Sequence, residues 1–162
     1  MKMLYDRYAG YLTAVCARYV RDDDDVKDIL QEACIKIFRT MERFEYRGEG
    51  SLKAWMTRIV VNDSLKSIRK KRALPVTDAI PDLPEEEPDF ARVPMPVLQQ
   101  MIRELPDGYR TVFNLYVFED KPHKEIASIL GIKENSSASQ YFHAKALLAR
   151  RIKDYIKTHD NG

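Results

Sequence analysis

Four side chains in the C-terminal third of the chain carry groups that can read nucleic-acid bases. Ser136, Ser139, Gln140 and His143 recur at helical spacing, on a face that the pattern turns away from a neighbouring apolar stripe. Hydroxyl, amide and imidazole groups can exchange hydrogen bonds with base edges and phosphates in a DNA groove. The spacing therefore favours DNA binding, and the alternative is a helical hairpin with a solvated polar face.

These residues need a helix-turn-helix to position them. A short amphipathic segment ends at Gly131, where the absence of a Cβ lets the chain turn at low steric cost. A polar turn follows, and we expect Asn135 or Ser136 to cap the longer helix behind it. The apolar stripe of that helix consists of Tyr141, Ala144, Leu148, Ile152 and Tyr155. The two segments predict a helix-turn-helix.

A second candidate site combines a loop with a basic helix. The loop after Phe44 contains Tyr46, Arg47 and Gly48, and Ser51 is predicted to cap a helix that runs to about Lys71. This helix turns an apolar face inward, Trp55 included, and carries an outward stripe of Arg58, Asn62, Lys66 and Arg69. An exposed aromatic ring and an Arg can receive an unstacked base, while the basic helix holds the backbone. A plain loop tip beside cations that complement the helix dipole explains the pattern equally well.

The most regular periodicity belongs to the helix before that loop. An acidic run from Asp22 to Asp25 supplies its N-cap and first turn. Apolar residues then keep helical spacing without a miss, at Val26, Ile29, Leu30, Ala33, Cys34, Ile37, Phe38 and Met41. Asp28, Gln31 and Glu32 lie outside this stripe, where solvation alone explains them. An amphipathic helix over residues 1–20, with Tyr5 among its apolar positions, precedes it.

Charge divides the chain into three segments. Residues 1–72 carry 16 Lys and Arg against 11 Asp and Glu, and residues 97–162 carry 10 against 8. Residues 73–96 carry 1 against 6 and hold six of the eight prolines, which predicts an extended acidic linker. Two basic ends around an acidic middle suit two polyanion-binding domains. No run of apolar residues is long enough to span a bilayer, so we expect a cytoplasmic protein without membrane insertion.

Catalytic and metal chemistry are poorly supported. A small helical enzyme would require Glu32, Asp63, His123 and His143 to converge, and nothing in their spacing indicates a site. Cys16 and Cys34 occupy apolar helical positions without a CxxC motif, so we expect core thiols rather than a disulfide or a zinc site. We therefore expect no catalytic residue, no metal and no cofactor.

Four stretches in this order resemble the small extracytoplasmic-function sigma factors of bacterial RNA polymerase, which belong to the sigma-70 family. They are DDDDVKDILQEACIKIF, FEYRGEGSLKAWMTRIVVNDSLKSIRKKR, LPDGYRTVFNLYVFEDKPHKEIASILGI and NSSASQYFHAKALL. The resemblance implies an all-α fold with two small helical domains. Residues 1–72 would form sigma domain 2, 73–96 an extended linker, and 97–162 sigma domain 4 with the helix-turn-helix.

The resemblance also implies roles for the residues named above. Asp28, Gln31 and Glu32 match the face that binds core RNA polymerase. A set around the loop matches the residues that contact the minus-ten element and help to melt it: Tyr46, Arg47, Gly48, Arg58, Asn62, Lys66 and Arg69. Another set matches the recognition helix for the minus-thirty-five element: Ser136, Ser139, Gln140, His143 and Lys145.

Promoter DNA, core RNA polymerase and an anti-sigma factor are therefore the expected partners. The chain departs from the family pattern at Lys66, where an acidic residue is frequent, and at Ala138, Gln140 and His143, where Lys and Arg are frequent. Fewer cations mean fewer phosphate contacts and a weaker dependence of DNA binding on salt. The rival interpretation is a free-standing helix-turn-helix regulator, a class of protein that usually dimerises on two half-sites.

Overall fold

The computed structural model describes residues 2–71 and 87–160. Those residues form seven α-helices and two short 3-10 turns, without a β-strand, so the predicted all-α class is confirmed. The chain separates into two compact units, Met1–Ala73 (unit 1) and Leu74–Gly162 (unit 2). No helix in the described ranges is long and apolar enough to cross a membrane.

Unit 1 is a three-helix arrangement of α1 (Lys2–Tyr19), α2 (Asp23–Thr40) and α3 (Ser51–Lys71), with a 3-10 turn at Met41–Arg43. All three helices pack against one another. The core is formed by one buried stripe from each helix, including Val15, Ala33 and Val60, which are fully buried. This packing leaves the opposite faces of α2 and α3 open for other contacts.

The start of α2 follows from the acidic run in the sequence. Asp22 Oδ1 accepts hydrogen bonds from the backbone N of Asp24 at 2.8 Å and of Asp25 at 3.2 Å. These bonds satisfy amide groups that have no partner within the helix, and the acidic first turn complements the helix dipole. The predicted N-cap is therefore confirmed.

Two predictions of buried aromatic residues in unit 1 are wrong. Phe38 is 60% exposed and Tyr5 is 59% exposed. Phe38 lies in the last turn of α2 and Tyr5 in the first turn of α1, so both are at helix ends, where apolar spacing does not by itself imply a covering partner. Trp55 is half-buried and packs against Phe44, with 5.0 Å between the ring centroids.

Unit 2 contains α4 (Met95–Arg103), α5 (Asp107–Val117), α6 (His123–Leu130) and α7 (Glu134–Asp160), preceded by a 3-10 turn at Phe90–Arg92. The first three helices each pack on α7, whose buried stripe of Ala144, Leu148 and Ile152 matches the prediction. Gly131 ends α6 with φ of 67°, in the left-handed region that a glycine adopts without a Cβ clash.

The helix boundaries of unit 2 differ from the prediction in two places. α7 begins at Glu134, so Asn135 and Ser136 lie inside its first turn and neither is the N-cap. α4 begins at Met95, two residues inside the predicted linker. Prolines precede both α4 and α5, because a proline's fixed φ suits a helix start and its missing N–H is not needed there.

Most of the predicted linker, residues 73–86, lies outside the described residues. Its C-terminal part, residues 87–96, does not fit the expectation of an extended linker. Phe90–Arg92 forms the 3-10 turn, and Val93 is 7% exposed and belongs to the core of unit 2. Phe90 packs toward Phe113 of α5, with 6.4 Å between the ring centroids. Apolar residues among the prolines therefore anchor this end of the linker.

The two cysteines are thiols and lie in unit 1. Cys16 is fully buried, as predicted for a core thiol, and the Ser64 hydroxyl lies 3.4 Å from its sulfur. Cys34 is half-buried, and burial raises the pKa of its thiol.

Candidate nucleic-acid interface

The minus-ten candidates of unit 1 form an exposed surface. Tyr46 is 74% exposed in the loop before α3, and the polar stripe of α3 is exposed along its length at Arg58, Asn62, Lys66 and Arg69. None of these four stripe residues contributes to the core, so their polar groups remain available to a ligand. The predicted orientation of this stripe is confirmed.

The loop is shaped by glycines at its tip. Gly48 has φ of 113° and Gly50 has φ of 82°, values that a residue with a Cβ rarely adopts. The backbone N of Arg47 donates to Ser51 Oγ at 3.2 Å, and the backbone N of Ser51 donates to the Gly48 carbonyl at 3.2 Å. The turn is closed by these bonds, which direct the Tyr46 and Arg47 side chains into solvent.

The polymerase candidates lie on the exposed face of α2. Asp28, Gln31 and Glu32 are all exposed, in agreement with the sequence pattern. Asp28 and Glu32 also line a polar groove of about 250 Å³, which Lys66 of the minus-ten set borders from α3. The fold thus brings members of two predicted sets to one groove, a relationship that the sequence did not reveal.

An ion pair between α2 and α3 contributes to the wall of this groove. Lys36 Nζ lies 2.6 Å from Asp63 Oδ1, and the Asp63 side chain is only 12% exposed. The ion pair with Lys36 provides a counterion for the largely buried Asp63 carboxylate. A small helical enzyme would need four residues to converge. Of these, Glu32 and Asp63 lie in unit 1, and His123 and His143 lie in unit 2.

The minus-thirty-five candidates of α7 are less accessible than the sequence predicts. Ser136, Gln140 and His143 are 3%, 2% and 1% exposed, so the prediction that they face away from the core is wrong. Ser139 and Lys145 are partly exposed. The polar residues that precede or open the helix, among them Lys133 and Asn135, are the exposed ones.

Helix geometry explains why these residues are buried instead of exposed. A helix turns about 100° per residue, so Gln140 and His143 lie about 40° and 100° from Ala144 at the centre of the buried stripe. They border the stripe instead of opposing it, and α7 packs on three helices, which widens its buried arc. Ser139, about 140° from Ala144, lies furthest around the helix from the centre of the buried stripe, yet its hydroxyl oxygen is buried.

The His143 side chain is buried and its ring contacts aromatic side chains. Its ring lies edge-on to the Tyr109 ring of α5, with 5.3 Å between centroids. Neither ring nitrogen has a hydrogen-bond partner within the described part of the chain. Burial lowers the pKa of His143 because the charged imidazolium loses its hydration.

Lys145 is held by contacts within unit 2. Its Nζ lies 2.7 Å from Glu87 Oε1 and 5.2 Å from the centroid of the Tyr141 ring. The Tyr141 ring in turn packs against Tyr116 and His123. Sequence reasoning did not find the Glu87 partner, because 58 residues separate the two side chains and only the folded chain brings them together.

The fold and its exposed surfaces define a helical protein with two modules, one of which carries a helix-turn-helix. The family model described as "Sigma-70 region 2" matches residues 4–74, and the family model described as "Sigma-70, region 4" matches residues 97–148.

Curated relatives match over most of the chain. The RNA polymerase sigma factor SigV of Bacillus subtilis is 30% identical over 132 residues, which cover 80% of this chain and 77% of SigV. The extracytoplasmic-function sigma-E factor of Haemophilus influenzae is 26% identical over 166 residues, covering 93% and 86%. The sigma-H factor of Pseudomonas aeruginosa is 24% identical over 170 residues, covering 96% and 87%.

A solved structure has a similar fold. The sigma factor RpoE of Bartonella quintana, in complex with the anti-sigma factor NepR, aligns with a TM-score of 0.53 and 19% identity, over 94% of this chain and 96% of RpoE. The chain belongs to the extracytoplasmic-function sigma factors of the sigma-70 family. It is a transcription initiation factor that directs promoter recognition by RNA polymerase.

Proposed function

We propose that the two units divide the work of promoter recognition. Residues 1–72 bind core polymerase and the minus-ten element, residues 97–162 bind the minus-thirty-five element, and residues 73–96 link them. The observation that carries this proposal is the exposed Tyr46 loop of unit 1, which leads directly into the polar stripe of α3. An aromatic ring in solvent beside cations is the arrangement that captures an unstacked base.

In this mechanism the loop promotes melting by trapping a base that has left the stack. Extruding a base costs a few kcal/mol, which stacking on Tyr46 and contacts from Arg47 offset. Gly48 gives the loop the turn that it needs. Arg58, Asn62, Lys66 and Arg69 hold the adjacent backbone along α3. Phosphate contacts of this kind fix the register on the DNA, whereas base contacts carry the sequence information.

The exposed face of α2 is the proposed polymerase contact. Asp28, Gln31 and Glu32 combine two carboxylates with an amide on one accessible surface. Such a surface complements a basic partner and can raise the rate of association. The polymerase performs the chemistry of RNA synthesis, so the chain acts as a non-enzymatic factor in the cytoplasm.

α7 is the proposed recognition helix for the minus-thirty-five element. Lys145 is partly exposed and is the candidate for direct DNA contact in the conformation described here, whereas the Ser139 hydroxyl oxygen is buried. Ser136, Gln140 and His143 occupy the matching positions but are buried, so direct contact from them requires this part of α7 to become accessible. Such a rearrangement would accompany binding to polymerase and promoter.

An anti-sigma factor is the proposed regulatory partner. The Bartonella quintana protein of similar fold was solved with such a factor, which supports this class of partner for the present chain. We expect a partner that competes with core polymerase for the full-length chain. A protein that binds the full-length chain but leaves its binding to core polymerase unchanged would not be an anti-sigma factor.

The polymerase contact can be tested with purified core enzyme. The double variant Asp28→Arg/Glu32→Arg should lose most of its affinity for core polymerase in a pull-down titration. Asp6→Arg reverses one charge on the exposed part of α1, half the change made by the double variant, and is the control, which should bind normally. If the wild-type chain has no affinity for core polymerase, or the double variant binds equally well, the proposed α2 contact is wrong.

Promoter selection requires a second experiment. Core polymerase with the full chain should initiate from a limited set of sites on genomic DNA, and sequencing the transcripts would reveal a shared pair of upstream elements. Lys145→Gln should reduce initiation at these sites several-fold, whereas Lys157→Gln, in the exposed last turn of the same helix, should have little effect. Equal effects from both variants would argue against a specific role for Lys145.

A further inference from the structure

The acidic end of the linker contacts the proposed DNA-reading helix. Glu87 Oε1 lies 2.7 Å from Lys145 Nζ, within range of a charge-assisted hydrogen bond. Lys145 is the only Lys or Arg between Glu134 and Ala149, so the N-terminal half of α7 offers DNA this cation alone. The Lys145 side chain is 19% exposed, compared with 77% for Glu87. The carboxylate thus occupies one of the few directions from which a ligand can approach the ammonium group.

This contact belongs to a folded segment, residues 87–93, which we call the strap. Val93 lies in the core of unit 2, and Phe90 packs toward Phe113. Arg92 pairs with Asp160 near the far end of α7, with 2.5 Å between nitrogen and oxygen. These anchors limit the positions available to Glu87, so its pairing does not depend on the ion pair alone.

A carboxylate and a DNA phosphate present the same chemistry to Lys145. Both are anionic oxygen acceptors for an ammonium group, so the two compete for one donor. Because Glu87 is tethered, its local concentration at Lys145 is independent of the amount of protein, whereas the phosphate must arrive from solution. An ion pair with one partner largely in solvent is weak, which sets the expected effect at a few-fold.

We propose that Glu87 is an internal competitor of DNA phosphate, so that the strap lowers the affinity of the free protein for duplex DNA. This inference rests on the proposed role of α7 as the duplex-reading helix. DNA engages Lys145 fully only after Glu87 has been displaced. A partner that draws the strap away from α7 therefore raises the affinity for DNA without touching the DNA-binding face.

The test uses the full chain and a fluorescein-labelled 20-base-pair duplex, with binding followed by fluorescence anisotropy between 50 and 200 mM salt. Glu87→Gln removes the competing charge, so affinity at the lowest salt should rise about two- to fivefold. The slope of log affinity against log salt should steepen by up to about one, since one further cation meets the phosphates. Asp154→Asn makes the same charge change at an exposed position of α7 and serves as the control.

A double-mutant cycle separates this inference from the function on which it rests. Lys145→Gln should weaken binding, and adding Glu87→Gln to it should bring no further gain. If Lys145→Gln has no effect in either background, the proposed DNA contact of Lys145 is wrong. Suppose instead that Lys145→Gln weakens binding, but the DNA affinity of Glu87→Gln is no higher than that of wild type or of Asp154→Asn. The DNA contact of Lys145 then stands, and the competition by Glu87 is refuted.

Discussion

The imidazole of His123 and the hydroxyl of Ser137 join the two helices of the helix-turn-helix, with 2.9 Å between Nδ1 and Oγ. His123 is the first residue of α6, and Ser137 is fully buried in the first turn of α7. The Tyr116 ring stacks on the imidazole at 4.5 Å between centroids and 8° between planes. This contact fixes the beginning of the proposed recognition helix against α6.

We expect Ser137→Ala to destabilise unit 2 by about 1 kcal/mol, because it removes a partly buried hydrogen bond and leaves the imidazole nitrogen without this partner. Ser139→Ala is the matched control two residues away. The Ser139 hydroxyl oxygen is buried and has no hydrogen-bond partner among the described residues, so its loss should leave stability unchanged or slightly higher.

Urea unfolding followed by far-UV circular dichroism measures this difference. Trp55, the only tryptophan, lies in unit 1, so its fluorescence provides an independent record of that unit. A change in the dichroism transition with an unaltered tryptophan transition assigns the effect to unit 2. Equal destabilisation by the two alanine variants would contradict the role given to the His123 contact.

Replacing His143 should separate stability from function. His143→Leu substitutes an apolar side chain of similar size for an imidazole whose two nitrogens are buried and have no hydrogen-bond partner among the described residues. An unsatisfied buried polar group costs about 1–3 kcal/mol, so the leucine variant should be more stable by about 1 kcal/mol or more.

Transcription from promoters that depend on the minus-thirty-five element should nevertheless fall with His143→Leu, since leucine cannot hydrogen-bond to a base or phosphate. His159→Leu, at an exposed position of the last turn, should change neither stability nor transcription strongly. A more stable His143→Leu variant with full transcription activity would show that His143 has only a structural place in unit 2.

Acid should destabilise unit 2 through its buried histidine. Burial lowers the pKa of His143 below the ordinary value of 6.5, so the unfolded chain takes up a proton at a higher pH than the folded chain does. The stability of unit 2 is therefore complete well above pH 6.5 and falls as the pH drops below that value. Burial also lowers the pKa of His123, partly opposed by the nearby Glu134 carboxylate.

Thermal unfolding at a series of pH values from 8 to 5.5 tests whether stability falls on acidification. The melting temperature of the wild-type transition should decline below pH 6.5, and His143→Gln should show a shallower decline because one titrating group is gone. A wild-type profile that is flat, or that rises on acidification, would contradict the assignment.

The Lys36 and Asp63 pair should stabilise unit 1, because Asp63 is mostly buried. Lys36→Met leaves the carboxylate with neither this counterion nor much solvent, and we expect a loss of about 1–2 kcal/mol, discounted because Lys36 is half-exposed. Lys27→Met, on the exposed face of the same helix, is the control and should have little effect. Urea unfolding monitored by Trp55 fluorescence distinguishes the two, and similar midpoints would refute the contribution of the pair.

Local sequence signals predicted the parts of the fold that depend on local physics. The Asp22 cap, the turn at Gly131 and the extent of α3 to Lys71 each follow from neighbouring residues, and the structure has them as expected. Helical periodicity located the buried stripes of α2 and α7 for the same reason. The family resemblance added the order of the modules, which periodicity alone does not provide.

The wrong predictions concern features that depend on residues far apart in the sequence. Phe38 has apolar spacing but is exposed in the last turn of α2, and Gln140 has polar chemistry but is buried beside an apolar stripe. Residue type and helical period do not show how much of a helix surface is buried by the neighbouring helices. The pairing of Glu87 with Lys145 likewise depends on how the strap folds back on α7. Pairings of this kind require coordinates.

Tyr46 offers the sharpest separation between folding and function in unit 1. Its side chain is 74% exposed, so Tyr46→Ala should leave the urea midpoint of unit 1 unchanged. The same variant should slow promoter opening about tenfold or more, because stacking on an aromatic side chain contributes about 1–3 kcal/mol per base. Permanganate footprinting of unpaired thymines, with core polymerase and a responsive promoter, measures opening directly.

Tyr5→Ala is the control for this prediction, since Tyr5 is 59% exposed and belongs to α1, not to the loop. On a template whose minus-ten region is already unpaired by mismatches, the defect of Tyr46→Ala should shrink, because part of the unstacking cost has been removed in advance. A defect of the same size on both templates would mean that Tyr46 acts in a step other than opening. Normal opening of the fully paired promoter by Tyr46→Ala would remove the loop from the proposed mechanism.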